Sequence, residues 1–287
     1  MTDAITARLV RRFGPDAAEW TAGLPALVAS LAEQWRLAVG EPFDGGALSV
    51  ALRATTADGQ PAVLKLSPDE PSLTEQAAML RLFEPSGRVP AVLADAPGAL
   101  LLEAVQPGTD MDDAAEHPAP AEFAELFADL HSVEPVAGLR TGHEVIEEFV
   151  RRGMDQLTEP VIAARLRRSD FERALEELQA LSAPPTTVLL HGDLHLGNVL
   201  DGGPRGLVAI DPMACVGDPC VDAVDYVLAG VGRRDGIEYR VQALSAAAGL
   251  DADRLYAWCR AVAAADSIPA LRGGRERVVD ELLALAR

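Results

Sequence analysis

The residues best suited to chemistry are two aspartates and an asparagine that follow two short apolar runs. Asp193 and Asn198 come after the run 188–190, and Asp211 ends the run 207–210. In phosphoryl transfer an aspartate orients or deprotonates the attacking hydroxyl, while an asparagine and a second aspartate hold Mg²⁺ against the nucleotide phosphates. Because Mg²⁺ keeps several waters, one carboxylate, one amide oxygen and the phosphates suffice as ligands. The spacing predicts phosphoryl transfer, with Asp193 as the catalytic residue and Asn198 and Asp211 as metal ligands.

The short motif His191-Gly192-Asp193 also has a structural explanation. It fits an ordinary turn, in which glycine supplies a positive φ and the aspartate bonds to the backbone. The combination with Asn198 and Asp211 is more specific than the motif alone. His191 and His195 are not accompanied by the cysteines or further histidines that would complete a zinc site, so a zinc site is not expected.

From His191 to Asp211 the chain resembles the aminoglycoside phosphotransferase family, which are small-molecule kinases with a protein-kinase-like fold. Ile210-Asp211-Pro212 stands where protein kinases have DFG, and it is similar to the branch of streptomycin 6-phosphotransferases and hydroxyurea phosphotransferases. The resemblance implies a two-lobed α+β fold with ATP between the lobes. Residues 1–104 are expected to form a small lobe with an antiparallel sheet and one key helix. Residues 105–287 are expected to form a larger, mostly helical lobe with the catalytic and metal loops and the substrate site.

A lysine within an apolar strand is the next candidate. Lys65 lies in the run 61–66, which a turn joins to an extended run before it. An unpaired charge there would be costly, so a partner is expected. Ser72 is predicted to cap the helix that follows Lys65, with Glu75 at the capping-box position. By resemblance, Lys65 contacts the ATP phosphates and Glu75 holds it in place. A water-facing lysine on an edge strand and a glutamate that stabilises its own helix start remain the alternatives.

Two further segments are expected to contact the nucleotide. Gly45 and Gly46, together with Ser49, lie where the family's phosphate-covering loop is placed, although a plain turn explains the glycines equally well. A second hairpin is predicted from residue 90 to residue 105. In kinase-like folds the linker after such a hairpin bonds adenine through its backbone. The candidates in that linker are Leu102, Glu103, Ala104 and Val105.

Most of the remaining chain predicts helices. Residues 17–37 have apolar positions at helical spacing, with a new helix expected to begin just before Pro25. Residues 120–131 form an amphipathic pattern that ends at His131, interpreted as a cap or packing residue. The acids Asp218, Asp222 and Asp225 follow the motif. Asp218 suits a helix cap, and the alternative is that these acids face the substrate.

Composition limits the partners. A formal net charge of −19 argues against nucleic acid and permits a cationic small molecule, although acidic surfaces also simply keep proteins soluble. Without a long apolar run or a basic opening segment, no membrane span or secretory signal is expected. Three cysteines are too few for a disulfide framework, which suggests reduced thiols in a cytoplasmic protein. The oligomeric state stays open.

The expected activity is ATP-dependent and Mg²⁺-dependent O-phosphorylation of a small molecule. A streptomycin-type aminoglycoside or hydroxyurea is the leading substrate, with antibiotic resistance as the outcome. A metabolic kinase of an amino sugar or another small hydroxylated metabolite is the alternative. A nucleotide-binding pseudokinase is the interpretation from another class, and the presence of Lys65, Asp193, Asn198 and Asp211 argues against it.

Overall fold

A computed structural model describes residues 3–43, 48–233 and 235–287. The chain divides into two compact units. Unit 1 comprises Met1–Glu84 and Val89–Gly108, and unit 2 comprises Pro85–Arg88 and Thr109–Arg287. The predicted phosphate-covering glycines, Gly45 and Gly46, lie outside the described residues.

Unit 1 is built on a five-stranded antiparallel sheet. Its strands are β1 (Ala38–Pro42), β2 (Val50–Thr55), β3 (Pro61–Leu66), β4 (Val92–Ala96) and β5 (Ala99–Glu103), in the order β1-β2-β3-β5-β4. Its helices are α1 (Asp3–Phe13), α2 (Ala17–Trp35) and α3 (Glu70–Phe83). Both predicted hairpins are present, and the small lobe with an antiparallel sheet is confirmed.

The alternation of side chains along β3 separates the face that packs into the core from the face that carries Lys65. Leu64 and Leu66 are fully buried against side chains from α1 and α2, among them Leu9 and Leu24. Alternate residues of a strand point to opposite faces. Lys65 therefore lies on the other face of β3, where it is half-buried.

Two sequence predictions about unit 1 were wrong in detail. No new helix begins at Pro25, because α2 continues through it. A proline inside a helix removes one backbone hydrogen bond, and burial of Leu24 and Leu31 on the same helix offsets that loss. Helix α3 begins before Ser72, since the carboxylate of Asp69 caps it by accepting a hydrogen bond from the Ser72 amide at 3.2 Å.

Unit 2 is mostly helical. Its helices are α4 (Pro120–His131), α5 (Gly142–Asp155), α6 (Pro160–Ala163), α7 (Arg168–Leu181), α8 (Cys220–Leu228), α9 (Gly236–Ala248), α10 (Ala252–Arg272) and α11 (Glu276–Leu285). Its strands are β6 (Val188–Leu190), β7 (Val199–Asp201), β8 (Leu207–Ala209) and β9 (Cys215–Gly217), which form the pairs β6-β9 and β7-β8. Helix α10 is the core element, since it contacts α5, α7, α8, α9 and α11.

The three thiols lie inside unit 2. Cys215, Cys220 and Cys259 are free and buried. Burial raises the pKa of the Cys215 thiol to about 12, and the pKa values of Cys220 and Cys259 are raised as well for the same first cause. Because the thiolate is the reactive form, we expect all three buried thiols to react slowly in the folded chain. Across the described ranges, no helix combines the length and apolar character that crossing a bilayer requires.

Candidate active site

The loop between β6 and β7 presents Asp193. The buried Asn198 donates from Nδ2 to the Asp193 carbonyl oxygen at 2.8 Å and to its Oδ2 at 3.0 Å. These two hydrogen bonds join the two ends of the loop segment 193–198. The Asp193 side chain remains 42% exposed. The loop therefore fixes the Oδ2 side of this carboxylate, where His195 Nε2 also lies 3.9 Å away, and leaves part of the side chain exposed to a ligand.

His191 connects this loop to the segment that carries Asp211. Its ring is fully buried, and Nε2 donates to the carbonyl oxygen of Ile210 at 3.0 Å. On the opposite edge, Nδ1 lies 3.4 Å from the backbone N of Asp193, from which it accepts. Burial lowers the pKa of His191, so the ring is neutral, with one donor and one acceptor. His191 therefore spans the two segments that bear the predicted catalytic and metal-binding carboxylates.

Asp211 has a strained backbone. Its φ is 56°, in the left-handed region that non-glycine residues rarely adopt and aspartate tolerates better than most. Such strain concentrates at functional sites. The preceding residue, Ile210, donates its N–H to the carbonyl oxygen of Asn198 at 2.9 Å, which ties the two predicted metal ligands together through the backbone.

The donor chemistry of this pair suits Mg²⁺. The Asn198 amide nitrogen is committed to Asp193, so its oxygen is turned away from that contact. A carboxylate oxygen and an amide oxygen are ligands of the hard type that Mg²⁺ prefers. Asn198 and Asp211 could therefore hold this ion together with phosphate oxygens and water.

Asp222 contacts the loop from the interior of unit 2 rather than from its solvent-exposed side. Its buried carboxylate accepts from the backbone N–H groups of His191 at 2.7 Å and Gly192 at 2.8 Å, and from Nε2 of His131 at 2.9 Å. Burial alone would raise the pKa of Asp222, but the hydrogen bond and charge of His131 and the amide of Gly192 hold that pKa below its usual value. The prediction that Asp222 faces the substrate is not matched by this internal position.

His131 is the residue whose role at the site the sequence interpretation missed. It was expected to be a cap or packing residue, whereas its ring nitrogen is a direct partner of Asp222. A signal for this network was present in the sequence, because Asp222 stands between apolar residues of α8. A carboxylate on the buried face of a helix requires donors from neighbouring elements. One sequence does not reveal which donors those are.

Asp218 also has both oxygens occupied inside unit 2. One accepts from the Cys220 amide at 3.0 Å, and the other accepts from Trp258 Nε1 at 2.7 Å and from the Arg254 guanidinium. The N-cap residue of α8 is Pro219 rather than Asp218, so Asp218 bonds to the first residue of the helix from one position further out and also joins it to α10 through Trp258 and Arg254. Its predicted contact with substrate has no open oxygen to support it.

Asp225 differs from these two acids. Within the described residues, its carboxylate has no hydrogen-bond or ion-pair partner, and the side chain is partly exposed. Burial, followed by the charges of Asp266 and Asp193, raises the pKa of Asp225 to about 7. Of the three acids predicted to face the substrate, Asp225 is the one that keeps a partly exposed side chain, and it lies close enough to Asp193 for the two charges to interact.

In unit 1, Glu75 does not form the predicted ion pair with Lys65. Glu75 is exposed on α3, and across the described residues no ion pair joins it to Lys65. The ion pair was predicted from a resemblance in sequence position, which does not fix the rotation of the helix. Ser49 is buried, and its carbonyl oxygen accepts from the Arg8 guanidinium at 3.1 Å.

The predicted adenine-binding segment is partly used within unit 1. The N–H groups of Glu103 and Ala104 donate to the carbonyl oxygens of Ala91 at 2.9 Å and Pro61 at 3.2 Å. Leu102 is buried in β5. In the described part of the chain, the Val105 N–H has no such partner, so it is the amide of this segment left for an external acceptor.

Comparison with known proteins agrees with this architecture. The sequence model of the aminoglycoside/hydroxyurea antibiotic resistance kinases matches residues 34–274. A hydroxyurea phosphotransferase of Kitasatospora aureofaciens is 36% identical, covering 87% of this chain and 74% of that protein. A streptomycin 6-kinase of Streptomyces glaucescens is 32% identical, covering 89% and 86%. The solved structure of a choline kinase from Streptococcus pneumoniae has a TM-score of 0.65 at 13% identity, covering 91% and 96%.

Proposed function

The chain belongs to the family of aminoglycoside/hydroxyurea antibiotic resistance kinases, and we propose that it transfers the terminal phosphoryl group of ATP to a hydroxyl of a streptomycin-type aminoglycoside or of hydroxyurea. The family makes it a small-molecule phosphotransferase with a nucleotide substrate. The observation that carries the proposal is the loop in which Asn198 fixes Asp193 while leaving that carboxylate open.

Asp193 is the proposed catalytic residue. An open carboxylate on a fixed loop can accept a hydrogen bond from the acceptor hydroxyl and orient its oxygen toward the phosphoryl group. Most of the rate gain in such a reaction comes from alignment and charge neutralisation, because the protein does little covalent work. The hydrogen bonds of Asn198 and His191 support this role, since both restrict where the Asp193 backbone can lie.

Mg²⁺ is the proposed metal, held by Asn198 and Asp211. When bound there, the ion would neutralise charge on the phosphates and polarise the transferred group. Asp211→Ala is accordingly expected to weaken Mg·ATP binding.

For the nucleotide we propose unit 1 as the binding lobe. Lys65 lies on the face of β3 opposite the core, where an ammonium group can contact phosphates. The Val105 N–H is the proposed donor to the adenine ring, supported by the absence of another partner in the described residues. Unit 2 is then the catalytic and substrate lobe.

The proposed acceptor site includes Asp225. Its partly exposed carboxylate would pair with an ammonium or guanidinium group of an aminoglycoside, and the net charge of −19 favours approach of a cation. Hydroxyurea is small and uncharged, so it would form no ion pair with Asp225. This difference separates the two acceptors experimentally.

The test is release of ADP from ATP by the purified protein in the presence of Mg²⁺ and one acceptor at a time. The acceptors are streptomycin, other aminoglycosides, hydroxyurea and amino sugars, and the matched control is Asp193→Asn. We expect turnover with streptomycin or hydroxyurea, a phosphorylated product by mass spectrometry, and protection of a sensitive host that expresses the protein. Turnover of an amino sugar without protection would overturn the proposal in favour of a metabolic kinase.

A further inference from the structure

A buried histidine–carboxylate pair, His131 and Asp222, supports the loop between β6 and β7 that carries Asp193, here called the catalytic loop. His131 ends α4, and its ring packs against that of Phe127 with centroids 3.9 Å apart. The His131 and Asp222 side chains are 7% and 1% exposed. A carboxylate only accepts, so the 2.9 Å contact requires Nε2 of His131 to carry the hydrogen. The contact fixes the orientation of the His131 ring and the position of one Asp222 oxygen.

Asp222 transmits this position to the backbone. The oxygen bound to His131 also accepts from the His191 amide, and the other oxygen accepts from the Gly192 amide. The donors therefore hold the carboxylate from two sides, α4 and the loop. Without the His131 donor, the buried charge loses one of three hydrogen bonds and the orientation that it imposes.

The loop has little freedom to absorb such a shift. Gly192 has a φ of +80°, and a Cβ built on it would lie 2.4 Å from the carbonyl oxygen of Met213. The backbone therefore passes close to the neighbouring segment here, and Asp193 follows directly. A displacement of the two anchored amides must appear as a displacement of the Asp193 carboxylate.

We propose that His131 is a positioning residue for phosphoryl transfer, acting through Asp222 on the two peptide groups that precede Asp193. The proposal rests on the proposed catalytic role of Asp193. Misplacement of a reacting group by about 1 Å costs on the order of 100-fold in rate. Removal of the donor is therefore expected to lower kcat by about 10- to 100-fold while the KM for ATP changes little.

The experiment compares three substitutions of His131 in the full chain. Leucine removes the donor and keeps a similar volume, glutamine places an amide N–H where Nε2 lies, and asparagine is too short to do so. We expect His131→Gln to recover most of the wild-type kcat, and His131→Leu and His131→Asn to lose it. The assay uses Mg·ATP and the acceptor that supports wild-type turnover, with nucleotide affinity measured separately.

His143 supplies the matched control. It is also a helical histidine in unit 2, with Nε2 bonded to the Leu178 carbonyl oxygen at 2.8 Å and, among the described residues, no bond to the catalytic loop. His143→Leu is expected to keep kcat within about twofold. Hydrogen exchange at the His191 and Gly192 amides is expected to accelerate in His131→Leu and to stay near wild type in His131→Gln and His143→Leu.

Failure of the proposed function can be distinguished from failure of the positioning role of His131. If the wild-type chain phosphorylates no acceptor, the proposed function is wrong before any His131 variant is compared. If the wild-type chain is active and His131→Leu matches its kcat, the positioning role alone is overturned. Equal losses in His131→Gln and His131→Asn would also overturn it, because the donor would then not be the feature that matters. The Gln and Asn comparison decides the question if His131→Leu unfolds.

Discussion

Four aspartates around the catalytic loop fall into two groups. Asp218 and Asp222 are enclosed, and each of their oxygens accepts from donors inside unit 2. Asp193 and Asp225 form the open group, because the side chain of Asp193 is 42% exposed and that of Asp225 is partly exposed. In the described residues Asn198 bonds to one oxygen of Asp193, and the carboxylate of Asp225 has no partner. Asp222 and Asp225 are three residues apart on one helix, yet the pKa of the first is lowered and that of the second is raised to about 7. The contrast suggests that enclosed acids set geometry and open acids meet ligands.

The largest expected effect on turnover comes from the open acid Asp193. Asp193→Asn removes the negative charge but preserves the size of the side chain and the backbone contact with Asn198. We expect kcat to fall by about 1,000-fold or more and the melting temperature to change little. Steady-state kinetics with scanning calorimetry checks both. A variant with near-wild-type turnover would place Asp193 outside the catalytic role.

The largest expected effect on stability comes from the enclosed acid Asp222. Asp222→Ala leaves two backbone N–H groups and the His131 donor without their acceptor in a buried site. We expect a loss of about 3–5 kcal/mol in the free energy of unfolding, measured by urea denaturation. Unchanged stability would show that the enclosed group is not what holds the loop.

Asp218 tests whether the enclosed group is uniform. Asp218→Asn keeps an oxygen for the Cys220 amide but weakens the contacts with Arg254 and Trp258. We expect a loss of about 1–3 kcal/mol in stability and a kcat within about threefold of wild type. Lost turnover in a variant of normal stability would instead favour the original prediction that Asp218 contacts the acceptor.

The smallest expected effect has the opposite sign and depends on pH. The pKa of Asp225 is raised from 3.8 to about 7, so the folded chain holds this proton more strongly than the unfolded chain does. Ionisation therefore lowers the free energy of unfolding as the pH rises from about 4 to about 7. Asp225→Asn removes that loss, and we expect a melting temperature about 3 °C higher at pH 8 and little changed at pH 4.

The same variant sharpens the acceptor assignment. For a cationic acceptor, Asp225→Asn should raise KM by about tenfold, with kcat less affected. Wild-type KM should fall as the pH rises through 7, because the carboxylate becomes charged. With hydroxyurea neither change is expected. A KM for streptomycin that is insensitive to both pH and Asp225 would remove this acid from the proposed acceptor site.

The strands and the motif loop were predictable because their signals are local. The Asp58-Gly59 turn marks the hairpin that carries Lys65, and period-2 burial then sets which face of β3 that lysine occupies. Glycine before Asp193 indicated a positive φ, which Gly192 has. The reaction class could be predicted because it depends on residue types at short spacing, whereas the roles of Asp193, Asn198 and Asp211 stay predictions.

The long-range contacts were not predictable from the same patterns. His131 and Asp222 are separated by 91 positions, and nothing in either segment names the other. At Pro25 the error was the opposite one. A single helix-breaking residue was given more weight than the apolar face of α2, which packs into the core. Glu75 was assigned from its place after Lys65, whereas helix rotation decides where it points.

The buried cysteines give the chain a practical property. All three thiols are buried with raised pKa values, so we expect maleimide dyes to label the native protein only slowly. Met213 follows the Asp211 segment and is 56% exposed, which makes Met213→Cys a single attachment point beside the loop. A fluorophore coupled there would report acceptor binding by its emission, without a radioactive or coupled assay.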